Sequence, residues 1–208
     1  MPMTATKDIQ RIATIGMFDG VHRGHALLLD ELCRRAAAAG VQMSTAPVLL
    51  DETTGQAVCS SAIRRAIVSD GDMDAAARML GRAYALVGKV VSGRRIGRTI
   101  GFPTANIRTD ARMAVPRCGV YAATVDIAGR RYGAMLNIGT APTVNAADTE
   151  VRLEVHIFDF DGDIYGATLS VEPRRYLRAE CRFADVSSLS ARLRDDAAAA
   201  KAILAEIP

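Results

Sequence analysis

The chain has few cysteines, histidines and aromatic residues. Its 208 residues contain no tryptophan, 5% aromatic residues and four cysteines, namely Cys33, Cys59, Cys118 and Cys181. The cysteines lie far apart and form no Cys-x-x-Cys pair, so the sequence predicts neither a structural zinc nor a set of disulfides. No recognisable nucleic-acid motif accompanies the mild net charge of +3, and no nucleic acid is expected as a partner.

Long hydrophobic runs are also missing. No apolar stretch approaches the length of a membrane span, and the segment from Met1 to Asp8 lacks the apolar core of a signal peptide. We therefore expect a cytoplasmic protein with no membrane partner. A hydrophobic content of 50% beside 24% charged residues is typical of a globular chain, and the length allows one substantial domain and a small one.

A glycine-rich segment in the middle of the chain carries the first chemical signal. Gly93 and Gly97 precede Gly101-Phe102-Pro103-Thr104-Ala105-Asn106 at four-residue steps. Alternate residues of an extended segment point the same way, so Thr104 and Asn106 would offer two neutral oxygens to one hard cation. Mg²⁺ bound to a triphosphate fits such a site, with the glycines letting the backbone approach the phosphates. An ordinary loop is the alternative interpretation of the same residues.

The glycine spacing does not match a Walker loop. Gly88 and Gly93 are followed by Arg94-Arg95, where a P-loop kinase has Lys and then Ser or Thr. A P-loop kinase is therefore not predicted. Arg94, Arg95 and Arg98 crowd the loop, and such a local cluster suits a phosphorylated small molecule.

The first 82 residues read as a small α/β segment. We predict a strand from Ile12 to Met17, a helix from about Gly24 to Ala39 that Gly40 ends, and a second strand near residues 41–50. These elements make one βαβ unit. A helix from Ser60 to about Ser69 and another from Met73 to Leu80 follow, with Gly81 as a helix stop.

From Tyr84 onward the pattern favours strands and a mainly β domain. The predicted strands are rich in Val, Ile, Tyr and Thr and run from Tyr84 to Val91, Gly119 to Ile127, Arg131 to Asn137, Val151 to Phe158 and Thr168 to Glu172. Short strands joined by hairpins indicate an antiparallel barrel. A last helix, from about Ser187 to Ile207, carries an apolar stripe that would pack on the barrel. Asp195 and Asp196 are expected to face solvent.

The predicted strand around Glu154 alternates strictly. Val151, Leu153, Val155 and Ile157 would be buried, while Arg152, Glu154 and His156 would share the opposite face. For an arbitrary strand, this polar face is a solvated surface.

The glycine segment resembles the nucleotide loop of the riboflavin kinase family, and the resemblance continues to the C-terminus. Five further motifs follow in the family's order: Cys118-Gly119-Val120-Tyr121, Asn137-Ile138-Gly139-Thr140, Leu153-Glu154-Val155-His156, Asp163-Ile164-Tyr165-Gly166 and Tyr176-Leu177-Arg178-Ala179-Glu180. The resemblance implies a six-stranded antiparallel Greek-key barrel with a C-terminal helix over residues 83–208. The domain boundary is predicted near Arg82.

The resemblance also implies roles for particular residues. Glu154 stands at the position of the catalytic base, directed at the 5′-hydroxyl of riboflavin, and Thr104 with Asn106 would hold Mg²⁺ beside ATP. The nucleotide-contacting positions are Gly93, Arg98 and Thr104. The flavin-side positions are Tyr165, Leu177, Arg178 and Glu180. For Tyr165 a cross-strand aromatic and for Arg178 a surface ion pair are equally good interpretations.

Residues 1–82 resemble a shortened form of the adenylyltransferase half of bifunctional bacterial FAD synthases. The local signature is Gly16 to His25, with His22 and His25 at a helix start, where they could hold a triphosphate. A second phosphate-binding segment is similar around Ser61 and Arg64, but Ala62 replaces its usual threonine. One βαβ unit is too little for a sheet of several parallel strands. We therefore treat these residues as a remnant that serves as a cap or interaction surface, for example in a homodimer.

The sequence leaves three functions open. The leading one is a riboflavin kinase that uses ATP and Mg²⁺ to make FMN and ADP. The second is a bifunctional FAD synthase that still adenylylates FMN, which His22 and His25 favour and Ala62 opposes. The third is a non-catalytic flavin-binding module, which the joint presence of Thr104, Asn106 and Glu154 disfavours.

Overall fold

A computed structural model describes residues 23–40, 49–93, 97, 100–142 and 149–207. By internal contacts the chain forms two compact units, residues 1–59 and residues 60–208. None of the helices in the described ranges is long and apolar enough to cross a membrane.

The first unit contains one helix and one tight turn among its described residues. Helix α1 spans Arg23–Ala38, and Gly40 has a φ of +67°, which fits its predicted role in ending the helix. Further on, Leu50 pairs with Ala57 across a turn. The buried Asp51 closes that turn by accepting hydrogen bonds from the backbone amides of Thr53 and Thr54. The predicted strand from Ile12 to Met17 and residues 41–48 lie outside the described residues.

The second unit begins with two short helices joined by a widened turn. Helix α2 spans Ser60–Arg65, a π-helical turn covers Ala66–Asp70, and helix α3 spans Met73–Leu80. Gly71, at a φ of +69°, ends the π turn, and the Asp72 carboxylate caps α3 by accepting from the amide of Ala75 at 2.9 Å. The predicted helix over residues 60–69 is therefore present, with its last turn widened.

Six antiparallel strands form a closed barrel. They are β1 Leu86–Val91, β2 Ala105–Thr109, β3 Gly119–Ile127, β4 Arg130–Pro142, β5 Thr149–Ile157 and β6 Thr168–Arg178. The order around the barrel is β1-β2-β5-β4-β3-β6, and it closes on itself. The connections from β2 to β3 and from β5 to β6 skip over neighbouring strands, as in a Greek key. The predicted barrel is confirmed.

The interior of the barrel is filled by alternate residues of the strands. On β5, Leu153, Val155 and Ile157 are buried, as the alternation in the sequence predicts. Ile67 of the π turn and Met73 of α3 belong to the same buried cluster. The helices between residues 60 and 80 therefore pack with the barrel, whereas the sequence places the domain boundary near Arg82; that boundary remains a prediction.

Helix α4 spans Val186–Ala205 and packs on the outside of the barrel against β3, β4 and β6. Its apolar residues join a second cluster that includes Leu193, Ala200 and Leu204 above Val120 and Met135. The predicted apolar stripe is thus confirmed.

One prediction for this helix is wrong. Asp195 faces solvent as expected, but Asp196 retains only 4% of its exposure. Asp196 is buried because an arginine of the barrel, Arg178, reaches it from β6. Hydrophobic periodicity could not reveal a charged residue that a partner from another element compensates.

Strand β2 was not among the predicted strands, and β4 and β6 extend beyond their predicted ends. Strand β2 has only five residues and only one of them, Ile107, is fully buried. The alternation is therefore too short to signal a strand. Its pairing with β1 and β5 holds it in the barrel.

We expect Gly88→Ala to destabilise the barrel. A Cβ at this position of β1 would lie 2.5 Å from Ile107 Cγ2 and 2.6 Å from the carbonyl oxygen of Arg108, so β1 and β2 would have to separate. Overpacking of this kind costs about 1–3 kcal/mol, which urea unfolding would measure. Val87→Ala, at an exposed neighbour on the same strand, is the control and should change stability much less. Equal stability of both variants would contradict the close approach of the strands.

Candidate active site

The register of three neighbouring strands places three polar side chains in one row. Glu154 on β5 pairs with Asn106 on β2 and with Asn137 on β4. Because Leu153 and Val155 point into the barrel, Glu154 lies on the outer face. Directly opposed side chains of paired strands lie about 4.5–5.5 Å apart at Cβ. The row therefore brings two amides to either side of one carboxylate.

The same row continues in both directions around the barrel. Val91 on β1 pairs with Asn106, and Val120 on β3 pairs with both Asn137 and Arg178. Residues that are far apart in the sequence thus become neighbours on one outer band. Arg178, the last residue of β6, is at the end of this band.

A cavity of about 340 Å³ lies over this band beside α4. Its floor includes Val120, Asn137 and Glu154, and Leu189 and Leu193 of α4 contribute a wall. Further lining comes from the segment Ile100 to Thr104 and from the segment Arg178 to Phe183. We call it the first cavity. Most of its surface is apolar, and Glu154 provides a carboxylate at one side.

Two further cavities adjoin it. The second, of about 590 Å³, is lined among others by Gly93, Asn106, Arg108, Arg152 and Glu154. The third, of about 640 Å³, is lined among others by Val90, Thr104, Ile157, Phe160 and Tyr165. Glu154 lines the first and second cavities, and Thr104 lines the first and third. The predicted base and one predicted metal ligand, Thr104, are therefore each shared by two cavities, while the other ligand, Asn106, lines the second cavity beside Glu154.

The neutral oxygen atoms of this site suit a hard cation whose other ligands are anionic, such as the phosphates of a nucleotide. Within the described part of the chain, no cluster of three or more His, Cys, Asp or Glu side chains could hold a metal by itself. Thr104 and Asn106 instead offer a hydroxyl and an amide oxygen, Thr104 in the first cavity with Glu154 and Asn106 in the second cavity with Glu154. Mg²⁺ commonly takes one or two protein ligands and completes its shell with substrate phosphates and water.

Gly93 leaves room for the Asn106 side chain. A Cβ on Gly93 would overlap the side-chain amide of Asn106, so the glycine backbone lies directly against that group. The predicted loop glycine therefore does have a contact in the site. Arg98 lies outside the described residues, and its predicted contact with the nucleotide stays a prediction.

His156 supports the site and was not predicted as a site residue. Its Nδ1 donates to the carbonyl of Pro103 at 2.8 Å, and its ring centroid lies 5.1 Å from that of Phe102. It shares the outer face of β5 with Glu154 and thus fixes the residues just before Thr104. The alternation of β5 indicates that His156 neighbours Glu154, but no sequence signal shows that its partner lies 53 residues away.

Arg178 forms a buried ion pair instead of the surface pair considered from the sequence. Its Nη2 donates to Asp196 of α4 at 2.6 Å, and the side-chain exposures are 13% and 4%. Burial opposes the charge of Arg178, yet the hydrogen bond and charge of Asp196 raise its pKa above the usual value.

The other three predicted flavin-side residues, Leu177, Glu180 and Tyr165, lie in different places. Glu180 lines the first cavity with Arg178, and Leu177 packs in the cluster beneath α4. Tyr165 lies at the third cavity and is 45% exposed. The structure therefore does not bring Tyr165 together with the other three.

The predicted remnant site is only partly described. His22 lies outside the described residues, and His25 lies in α1, where only its backbone is described. Ser61 and Arg64 are exposed on α2, and Ala62 between them is buried. The assignment of these residues to a nucleotide site remains a prediction.

Two family models match the chain. The model described as riboflavin kinase matches residues 80–204 and so covers the whole barrel and most of α4. The model described as FAD synthetase matches residues 4–57.

Curated relatives agree with these matches, and one solved structure is similar to the chain in fold and sequence. A bifunctional riboflavin kinase/FMN adenylyltransferase of Pseudomonas fluorescens is 42% identical over 154 residues, which are 74% of this chain and 49% of the relative. The enzyme of the same name from Bacillus subtilis (strain 168) is 37% identical over 67% of this chain and 44% of its own. A crystal structure of a protein from Streptococcus pneumoniae, named a macrolide-efflux protein, has a TM-score of 0.69 at 36% identity and covers 75% of this chain and 50% of that one. The chain spans about half the length of the curated relatives it matches.

We expect His156→Leu to loosen the segment before Thr104. The change removes the donor to Pro103, so the amides of Phe102 and Thr104 should exchange with deuterium faster while the barrel strands keep their protection. Hydrogen exchange with mass spectrometry or NMR would measure this. Arg152→Leu, on the same face of β5, is the matched control. Unchanged exchange at Phe102 and Thr104 would show that His156 does not hold the segment.

Proposed function

Because the chain belongs to the riboflavin kinase family, we propose that it transfers the γ-phosphate of ATP to the 5′-hydroxyl of riboflavin, giving FMN and ADP. One observation carries the proposal. Glu154 lines both the first and the second cavity and has Asn106 as its partner on β2. Thr104, just before that strand, lines the first cavity with Glu154 and also the third. Phosphoryl transfer to an alcohol needs alignment, neutralisation of charge and removal of one proton, and these residues can meet each need.

Riboflavin occupies the first cavity in this proposal. The volume of about 340 Å³ lies in the range of small-molecule sites, which is roughly 300–1,000 Å³. Apolar side chains such as Phe102, Phe183 and Leu193 would cover the flat ring system. With the ring beside α4, the ribityl chain would run along the band toward Glu154.

The adenine of ATP occupies the third cavity in the same proposal. Aromatic and aliphatic side chains line this cavity, among them Ile157, Phe160 and Tyr165. Thr104 joins the third cavity to the first. The triphosphate would therefore pass Thr104 on its way to Glu154. This assignment moves Tyr165 from the flavin side, where the sequence put it, to the nucleotide side.

Thr104 and Asn106 would hold Mg²⁺ against the phosphates. Bound Mg²⁺ supplies neutralisation of the phosphate oxygens and fixes their geometry. The Thr104 hydroxyl and the Asn106 amide oxygen add no charge, so they are suited to a cation that the triphosphate already neutralises. Gly93 leaves room for the amide of Asn106.

A base must remove the proton of the 5′-hydroxyl group of riboflavin during the transfer. The 5′-oxygen of riboflavin bonds to the γ-phosphorus, and the bond from that phosphorus to the bridging oxygen of ADP breaks. The hydroxyl proton passes to the carboxylate of Glu154. Asn106 and Asn137, paired with Glu154 on both sides, are placed to orient that carboxylate.

FMN adenylylation is the second candidate function. The FAD synthetase match over residues 4–57 favours it, and the curated relatives carry both activities in their names. Ala62, buried in α2, lacks the hydroxyl that the sequence comparison expects there. We therefore propose phosphorylation of riboflavin as the activity of this chain, in the cytoplasm, where ATP is available. A homodimer through the shortened N-terminal segment, residues 1–82, stays a prediction.

Glu154→Gln should lower FMN formation by at least about 10²-fold, because the amide cannot accept the proton. Binding of ATP should stay close to that of the wild type. Chromatography of the flavins and isothermal titration with ATP would measure the two effects. Glu206→Gln, at an exposed position at the end of α4, is the control. Turnover equal to the wild type would remove Glu154 as the base.

The products of the wild-type protein separate the candidate functions. With riboflavin, ATP and Mg²⁺ we expect FMN and no FAD, and with EDTA in place of Mg²⁺ we expect no FMN. Accumulation of FAD would instead favour the bifunctional enzyme, and its loss in a variant with His22→Ala and His25→Ala would assign that activity to the first unit. Binding of riboflavin without any turnover would favour a flavin-binding module.

A further inference from the structure

Asp196 is an aspartate in the middle of α4 with almost no access to water. It retains 4% of its exposure, and it accepts hydrogen bonds from Nε and Nη2 of Arg178 at 2.6–3.0 Å. Arg192, one turn earlier on the helix, approaches it at 3.2 Å. Its neighbour Asp195 is exposed. Of the two adjacent aspartates, Asp196 is therefore buried in ion pairs and Asp195 faces solvent.

Arg178 has little hydrogen-bonding capacity left for a ligand. A guanidinium has five N–H groups. The one on Nε and one on Nη2 are directed at Asp196, while Nη1 donates to the carbonyl of Ala179 at 2.9 Å and lies 3.2 Å from Sγ of Cys181. The guanidinium carbon also lies 5.9 Å from the ring centre of Phe183. Arg178 is thus occupied mainly by Asp196 and by the segment that follows it in the chain.

The segment that Arg178 holds is a wall of the first cavity. Glu180, Cys181 and Phe183 all line that cavity, and the segment has no helix or strand of its own. Such a segment keeps a defined shape only if its backbone and side chains are tied to fixed elements. The pair of Arg178 and Asp196 ties it to β6 and α4.

A second contact holds the same wall from the side of β4. A Cβ on Gly139 would lie 2.9 Å from the carboxyl carbon of Glu180, so the Glu180 side chain rests on the glycine backbone. Gly139 is buried in its strand. The wall is therefore fixed at two separate points, by charge at Arg178 and by close approach at Gly139.

We propose that Asp196 is a positioning residue for riboflavin: by fixing Arg178 it holds residues 179–183 in the shape that receives the flavin ring. This inference rests on the proposed function, since it takes the first cavity as the riboflavin site. A buried ion pair commonly adds little net stability, because removing two charges from water costs nearly as much as their attraction returns. Its use here is to fix geometry, and the residue acts through Arg178 without touching the substrate.

The test compares Asp196→Asn with Asp195→Asn. The amide keeps the shape of the side chain but loses the second acceptor and the charge, and a charge-assisted hydrogen bond of this kind corresponds to a change of about tenfold or more in affinity. We expect the Kd of riboflavin, measured by its fluorescence, and the KM for riboflavin to rise about tenfold in Asp196→Asn. The kcat and the KM for ATP should stay near the wild-type values. Asp195→Asn should behave as the wild type.

Hydrogen exchange without flavin gives a readout that does not depend on turnover. Residues 179–183 should exchange faster in Asp196→Asn than in Asp195→Asn, with α4 and the barrel strands protected in both. Gly139→Ala, which displaces Glu180 without altering any charge, should raise the Kd of riboflavin in the same way. If Asp196→Asn fails to fold, Arg178→Lys, which keeps the charge but loses the paired hydrogen bonds to Asp196, tests the same inference and should raise the Kd of riboflavin.

The outcomes separate this inference from the proposed function. A wild-type protein that binds riboflavin but makes no FMN would overturn the kinase, while a raised Kd in Asp196→Asn would still support the positioning role. A wild-type protein that makes FMN, with an unchanged Kd and KM for riboflavin in a folded Asp196→Asn variant, would overturn the positioning role. An Asp196→Asn variant whose only change is a lower thermal stability would also overturn the positioning role.

Discussion

Closure of six antiparallel strands into one barrel is the constraint on which the site depends. A closed sheet has no free edge along which a strand could slip, and a slip of one residue would turn every buried side chain outward. The interior residues of β5, such as Leu153 and Val155, therefore fix the position of Glu154 on the outer face. The same register pairs Glu154 with Asn106 and Asn137. The packing of the core thus decides which polar groups meet outside it.

Helix α4 converts part of this outer face into a cavity. Leu193, Ala200 and Leu204 pack on Val120 and Met135. The first cavity lies beside the first half of the helix, where Leu189 and Leu193 line it. The chain between β6 and α4 forms the remaining wall. Because that segment has no regular structure, its shape depends on the buried pair of Arg178 and Asp196 and on the contact of Glu180 with Gly139.

The residues at which the two proposed substrates would meet come from different elements. Thr104 stands just before β2, Glu154 lies in β5, and both line the first cavity. His156 joins these two elements through the carbonyl of Pro103. A reaction that depends on the alignment of two substrates requires this kind of fixed junction, since small displacements of the reacting atoms are costly in rate. The described part of residues 1–59 is a separate compact unit.

The sequence by itself indicated an antiparallel barrel, the helix that packs on it and candidate residues for the site. Alternation revealed the faces of β5, and ordered motifs indicated Thr104, Asn106 and Glu154. The tertiary structure decided what each of them contacts: strand β2 is too short for a periodic signal, and His156, Asp196 and the cavity of Tyr165 became apparent only from partners distant in the chain. The physical reason is that periodicity reports whether a side chain faces the core, while burial of a charge or the aim of an imidazole depends on a partner that another element brings to it.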